Sequence, residues 1–144
     1  MQVLALFIPG SVKRPEPLTG IGYPSAVFTA TFTFAAGVFD AEFHAMDQTI
    51  AEVARATPGY LGEESWENPA NGLVATVYYW ETLEALHALM QHPAHLAAKA
   101  RQQQWLNGYQ VVIAEVLANY DDGGITHPLA GRQLSTGRIG PSHP

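Results

Sequence analysis

The sequence predicts an α+β fold, a ferredoxin-like βαββαβ unit with one four-stranded antiparallel sheet, and three observations carry that prediction. Residues 26–34 alternate strictly in character. The stretch from Thr57 to Tyr120 reads as strand, strand, helix, strand, and one strand and one helix precede it. The apolar residues of the strands lie on both faces, whereas one layer of helices can cover only one. The excess implies a partner subunit, with a cavity between the two copies.

Each element has its own warrant. In the first strand Phe28, Ala30, Phe32 and Phe34 point one way, and Val27, Thr29, Thr31 and Thr33 the other. Asp40 to Thr57 reads as a helix, with Asp40 as N-cap, Glu42 in the first turn and Phe43, Met46, Ile50 and Val53 as its buried stripe. Pro58-Gly59 stops it. Tyr60 to Glu67 and Leu73 to Trp80 form a hairpin around a turn at residues 68–72. Leu73, Ala75, Val77 and Tyr79 share one face of the third strand; Val74, Thr76, Tyr78 and Trp80 share the other.

The second helical region runs from Glu81 to about Gln104 and is interrupted. Thr82 can cap its first piece. Pro93 is costly inside a helix but suits a first turn, so the spacing predicts a break at Gln91-His92. Asn107-Gly108 is read as the helix stop, and Tyr109 to Ala118 as the last strand. Residues 1–25 form an N-terminal arm and a Pro/Gly-rich loop, residues 26–120 the domain, and residues 121–144 a Gly/Pro-rich tail that is either free or wraps a partner.

Bulk properties remove several functions. The 144 residues carry a net charge of −6 with only seven Lys and Arg, so neither nucleic acid nor a membrane surface is an expected partner. Cysteine is absent, which excludes disulfides, thiolate catalysis and zinc–cysteine sites. No segment approaches the roughly 20 apolar residues of a membrane span, and the apolar start lacks a basic leader. The expected compartment is the cytoplasm. With both helices on one face of the sheet, the other face would leave an apolar patch in water that monomers rarely tolerate. Two sheets packed face to face in a homodimer bury it.

Pro58-Gly-Tyr-Leu-Gly62, the Tyr79-Trp80-Glu81 strand end and the helix from His92-Pro-Ala-His95 to Trp105 resemble the antibiotic biosynthesis monooxygenase family. That is a dimeric α/β-barrel group that also includes haem-degrading monooxygenases, and the resemblance spans roughly residues 25–120. It implies a cofactor-independent monooxygenase acting on an aromatic or polyketide-like small molecule, by proton abstraction and reaction of the enolate with dioxygen. No cofactor is expected, and no Gly-x-Gly-x-x-Gly fingerprint is present.

The resemblance also suggests site residues. His95 follows the helix break, where the family often places a pocket histidine; an ordinary imidazole, titrating at about 6.5, suits proton abstraction. Trp105 and Tyr109 are candidate donors to an enolate oxygen, and Phe32, Tyr79 and Trp80 are candidate walls of the cavity. The plain alternative for each is packing. His87, His92 and His95 have poor metal-ligand spacing across the break, so no metal is expected. Leu89 and Lys99 occupy the positions where the haem-degrading branch carries a tryptophan and a haem-ligating histidine, which disfavours haem, although His95 can ligate it in another geometry. Glu63, Glu64 and Glu67 are close in sequence, but alternation splits their faces. A non-catalytic ligand-binding dimer and a haem-binding protein are the competing readings.

Overall fold

The computed structural model describes residues 27–132 and the backbone of 134–135, so the N-terminal arm and the last residues of the tail lie outside it. The elements are β1 (Val27–Ala36), α1 (Ala41–Ala56), β2 (Tyr60–Glu67), β3 (Leu73–Trp80), α2 (Leu83–Gln91), α3 (Pro93–Ala100) and β4 (Leu106–Val116). A short pairing of β5 (Ala118–Asn119) with β6 (Leu134–Ser135) follows. The main sheet has the order β2-β3-β1-β4 and is antiparallel throughout. This is the βαββαβ arrangement that the sequence predicts.

Register fixes what each face carries. Phe28 lies opposite Trp80 and Glu115, and Phe32 opposite Thr76 and Val111. Directly opposed residues share a face. Phe28, Ala30, Phe32, Phe34, Tyr78 and Trp80 therefore form one surface, and they join Phe43, Ile50, Leu86, Leu89 and Ala98 of the helices in a single core. The other face presents Thr29, Thr31, Thr33, Val77 and Tyr79, flanked on the edge strands by Trp66 and Val112.

The helix ends follow local chemistry. Asp40 Oδ1 accepts the Phe43 N–H at 2.8 Å, and Thr82 Oγ1 accepts the Ala85 N–H at 3.0 Å. The break falls at His92, whose Nδ1 accepts the Ala94 N–H at 3.1 Å while Pro93 opens α3. On α1 the buried residues include Ala51, Ala54 and Asp47, while Met46 and Val53 are only partly covered. The end of the second helical region differs from the reading of Asn107-Gly108 as its stop. α3 closes at Ala100, a 3₁₀ turn spans Gln102–Gln104, and β4 already begins at Leu106. The cause is β1, which continues to Ala36 and offers partners there. Ala35 pairs with Gly108 and Ala36 with Leu106 across a register shift that leaves Asn107 as the extra residue.

Residues 118–132 lie on the far face of their own sheet. Leu129 packs with Val27 and Tyr79, and Leu61, Val77 and Val116 surround them. Asn119 Nδ2 donates to the Leu129 and Arg132 carbonyls at 3.1 and 2.6 Å. Among the described residues no helix is long and apolar enough to cross a membrane.

Candidate functional site

The helix-covered face holds a polar cluster at the Tyr60–Trp80 end of the hairpin. Tyr60 lies opposite Trp80, and Glu63 opposite Tyr78, so all four side chains point beneath the helices. A bulge between Tyr60 and Gly62 makes this spacing. The Tyr60 and Trp80 rings meet edge to face at 5.4 Å. Arg55, near the end of α1, approaches Glu63 Oε1 at 3.5 Å, and the Glu63 side chain is only 10% exposed. Asp47 of α1 is also buried.

Electrostatics follow from that burial. Burial pushes the Glu63 carboxyl above its ordinary range, against the opposing pull of Arg55 and of hydrogen bonding from Tyr60, Arg55 and Tyr78. Burial, and then the charge of Glu63, push the Tyr60 and Tyr78 phenols well above theirs. Two atoms of the cluster stand out. The Trp80 indole N–H and Glu63 Oε2 are both buried with no hydrogen-bond partner of normal geometry among the described residues. Buried polar atoms are paired in the great majority of cases, so each such exception needs a reason.

The six residues selected from the sequence fall in different places. Phe32 and Trp80 are fully buried on the helix-covered face. His95, the third residue of α3, is 1% exposed and lies on the inward side of that helix with Ala98. Trp105 is buried too, but its N–H already donates to Asp40 Oδ1 at 3.2 Å. Its ring packs edge-on to Phe43 at 5.4 Å, and the Arg101 guanidinium lies 4.8 Å from its centroid. Tyr109, on the edge strand β4, is 42% exposed, with its ring 5.9 Å from Phe32. It borders an open groove of about 260 Å³ with Thr33, Leu73 and Gln110.

Tyr79 points to the opposite face, so one subunit does not bring it to the same cavity as Trp80. Its O–H donates to Glu64 Oε1 at 2.6 Å. His127 Nδ1 accepts the Leu129 N–H at 3.0 Å, which places the ring proton on Nε2, and that N–H faces Glu64 Oε1 at 3.2 Å. Both ring nitrogens are engaged, so this trio ties down the C-terminal segment.

Sequence reasoning passed over Tyr60, and it set Glu63 aside because alternation separates it from Glu64. The signal available was that Glu63, unlike Glu64, shares strand parity with the buried side of the hairpin, but the bulge hides the register. Among the described residues no group of three or more His, Asp or Glu is arranged to hold a metal ion.

One antiparallel sheet with helices on one side defines a ferredoxin-like α+β domain, a fold also found in solved proteins named antibiotic biosynthesis monooxygenases. Solved structures share this fold. PA3566 of Pseudomonas aeruginosa is 19% identical, with a TM-score of 0.54 over 67% of this chain and 100% of its own. A Caulobacter crescentus protein provisionally named an antibiotic biosynthesis monooxygenase is 20% identical, with a TM-score of 0.53 over 68% of this chain and 94% of its own. SnoaB, a cofactor-independent oxygenase from Streptomyces nogalater, is 13% identical, with a TM-score of 0.50 over 63% of this chain and 92% of its own. In sequence, the chain is 29% identical over 105 residues to the uncharacterized protein YqjZ of Bacillus subtilis, covering 72% of this chain and 84% of that one. No protein-family profile matches it.

Proposed function

We propose that the chain is a cofactor-independent monooxygenase of aromatic or polyketide-like carbon acids, working as a homodimer. The observation that carries this reading is the Trp80 indole N–H, buried without a partner. Leaving such a donor unpaired costs about 1–3 kcal/mol. A ligand oxygen that gains negative charge offsets that cost, and does so most in the transition state.

The chemistry needs a base, an oxyanion donor and a dry site. His95 takes a proton from the carbon beside a ketone, and Trp80 donates to the enolate oxygen that forms. The electron-rich carbanion passes one electron to dioxygen, and the two radicals combine into a peroxide, which takes up a proton. The O–O bond of this hydroperoxide then breaks as the second C–H proton is removed. Water leaves, and the carbon becomes a carbonyl. In sum, one methylene group and one dioxygen give one carbonyl group and one water, and the substrate itself supplies every electron. Phe32 forms part of the wall, and burial of His95 keeps bulk water from the base. Tyr109, exposed on an edge strand, contributes where subunits meet, whereas Tyr79, covered by Leu129 and hydrogen-bonded to Glu64, has no part in the reaction.

Trp66 and Val112 support the dimer: both lie on the open face and are 65% and 49% exposed. Packing two such faces together removes them from water at about 25 cal/mol per Å².

Anthrone, a planar ketone with an acidic methylene group, tests the reading in aerated buffer. The protein is expected to accelerate anthraquinone formation above the buffer rate, and His95→Ala to remove roughly 10²-fold or more of that acceleration. A rate equal to that of buffer alone contradicts it.

A further inference from the structure

We infer that residues 118–132 form the docking site for a second copy of this chain, whose Trp66 seats in the cavity they enclose. The inference rests on the homodimer of the proposed function and adds which surfaces meet in it.

The far face of the sheet is a step. At the end where Val27, Tyr79 and Val116 lie, Leu129 covers it. At the other end Thr33, Leu73 and Gln110 line an open groove, and the exposed Trp66 stands opposite Ala75. Packed sheets leave a layer of about 10 Å between them, and residues 118–132 occupy that layer over half of the face. Two copies stacked segment against segment would hold their open halves apart. Turned end for end, about a two-fold axis that runs across the strands, each copy lays its segment on the open half of the other.

Area decides for this arrangement. With strands about 4.8 Å apart and a rise of about 3.3 Å per residue, the open half of a four-stranded sheet measures roughly 300 Å². A stable interface needs about 800 Å² from each partner. The outer surface of residues 118–132 extends the contact, and Tyr120 and Ile125 on it are 69% and 73% exposed. The groove and its neighbours Trp66, Ala75 and Val112 carry no charged side chain, so a chain of net charge −6 can meet its own copy there.

The cavity fits one large side chain. It measures about 250 Å³ and is lined by Tyr120, Asp121, Ile125, His127 and Ala130 among others. Pockets for small ligands run to about 300–1,000 Å³. Ile125 and Ala130 give it an apolar wall. Asp121 accepts the Gly123 N–H at 3.1 Å and the Gly131 N–H at 3.4 Å, and a carboxylate has capacity for one donor more. A tryptophan needs both features, apolar contact for its rings and an acceptor for its N–H. His127 fixes the wall, because Nδ1 accepts the Leu129 N–H and Nε2 faces Glu64.

The chain has no cysteine, so single cysteines report contacts cleanly. Ile125→Cys and Trp66→Cys are made as separate full-length chains and oxidised at a concentration where the unmodified chain sediments as a dimer. The mixture is expected to give a disulfide-linked dimer, and neither chain by itself. In a second arm, Ala130→Phe fills the cavity and should weaken the dimer roughly tenfold or more, because buried tryptophans are interface anchors. Cross-linking of Ile125→Cys to itself, or no cross-link in the mixture, overturns the docking and leaves the homodimer and the oxygenase reading standing. An unchanged dimer affinity in folded Ala130→Phe does the same. An unmodified chain that sediments as a monomer at every concentration overturns this inference together with the homodimer.

Discussion

Trp105 donates its indole N–H to Asp40 Oδ1 at 3.2 Å, and the same oxygen accepts the Phe43 N–H at 2.8 Å. One carboxylate thus caps α1 and ties the start of β4 to it. Asp40→Ala is expected to lose about 2 kcal/mol of stability, roughly half from the cap and half from the tryptophan. Asp40→Asn keeps an acceptor and should lose less. Urea unfolding of the two variants checks this, and an unchanged midpoint for Asp40→Ala contradicts it.

Glu63 sets a slope of stability with pH. Burial raises its carboxyl above the ordinary value of 4.5, so the folded chain holds that proton more tightly than the unfolded chain does. Its favourable contribution is complete below the ordinary value and is lost as pH rises through the raised one. Glu63→Gln removes this term. The variant should therefore gain stability relative to the unmodified chain as pH climbs from about 4 toward neutrality. Thermal melts across that range check it, and a difference that stays flat or falls is the contrary result.

Gly62 holds the C-terminal segment close. Its φ is +143°, and a Cβ there would stand 2.9 Å from the Pro128 Cβ. Gly62→Ala is expected to cost about 2 kcal/mol through strain and that clash. It should also loosen residues 120–132. Amide exchange of Leu129 reads the second effect, and unchanged protection there contradicts the packing described.

The open sheet face predicts its own disruption. Val112→Lys and Trp66→Lys place a charge where two copies would meet, and neither side chain contributes to the core. Sedimentation is expected to show a dimer for the unmodified chain and a monomer for each variant. An unmodified chain that sediments as a monomer rules out the face-to-face assembly.

Short-range chemistry was legible in the sequence. The alternation of Val27–Phe34 and Leu73–Trp80 gives both faces of the sheet, and the caps Asp40 and Thr82 and the break before Pro93 stand where residue types place them. What depends on register or on distant partners was not legible. Asn107-Gly108 carries a helix-stop composition, yet β1 draws both residues into a strand. Nothing local announces that the Trp105 N–H is spent on a carboxylate 65 residues away. For the same reason the sequence favoured Trp105 as a donor, while the indole left without a partner is Trp80. Glu63 joins Tyr60 and Tyr78 only once a bulge has set the hairpin register.

The most direct measurement is anthrone oxidation under isotopically heavy dioxygen, with the quinone analysed by mass spectrometry. The account predicts a protein-dependent product carrying one heavy oxygen atom, with the other leaving as water, and a clear loss of rate in Trp80→Phe. A product formed no faster than in buffer, or one whose new oxygen comes from water, contradicts it.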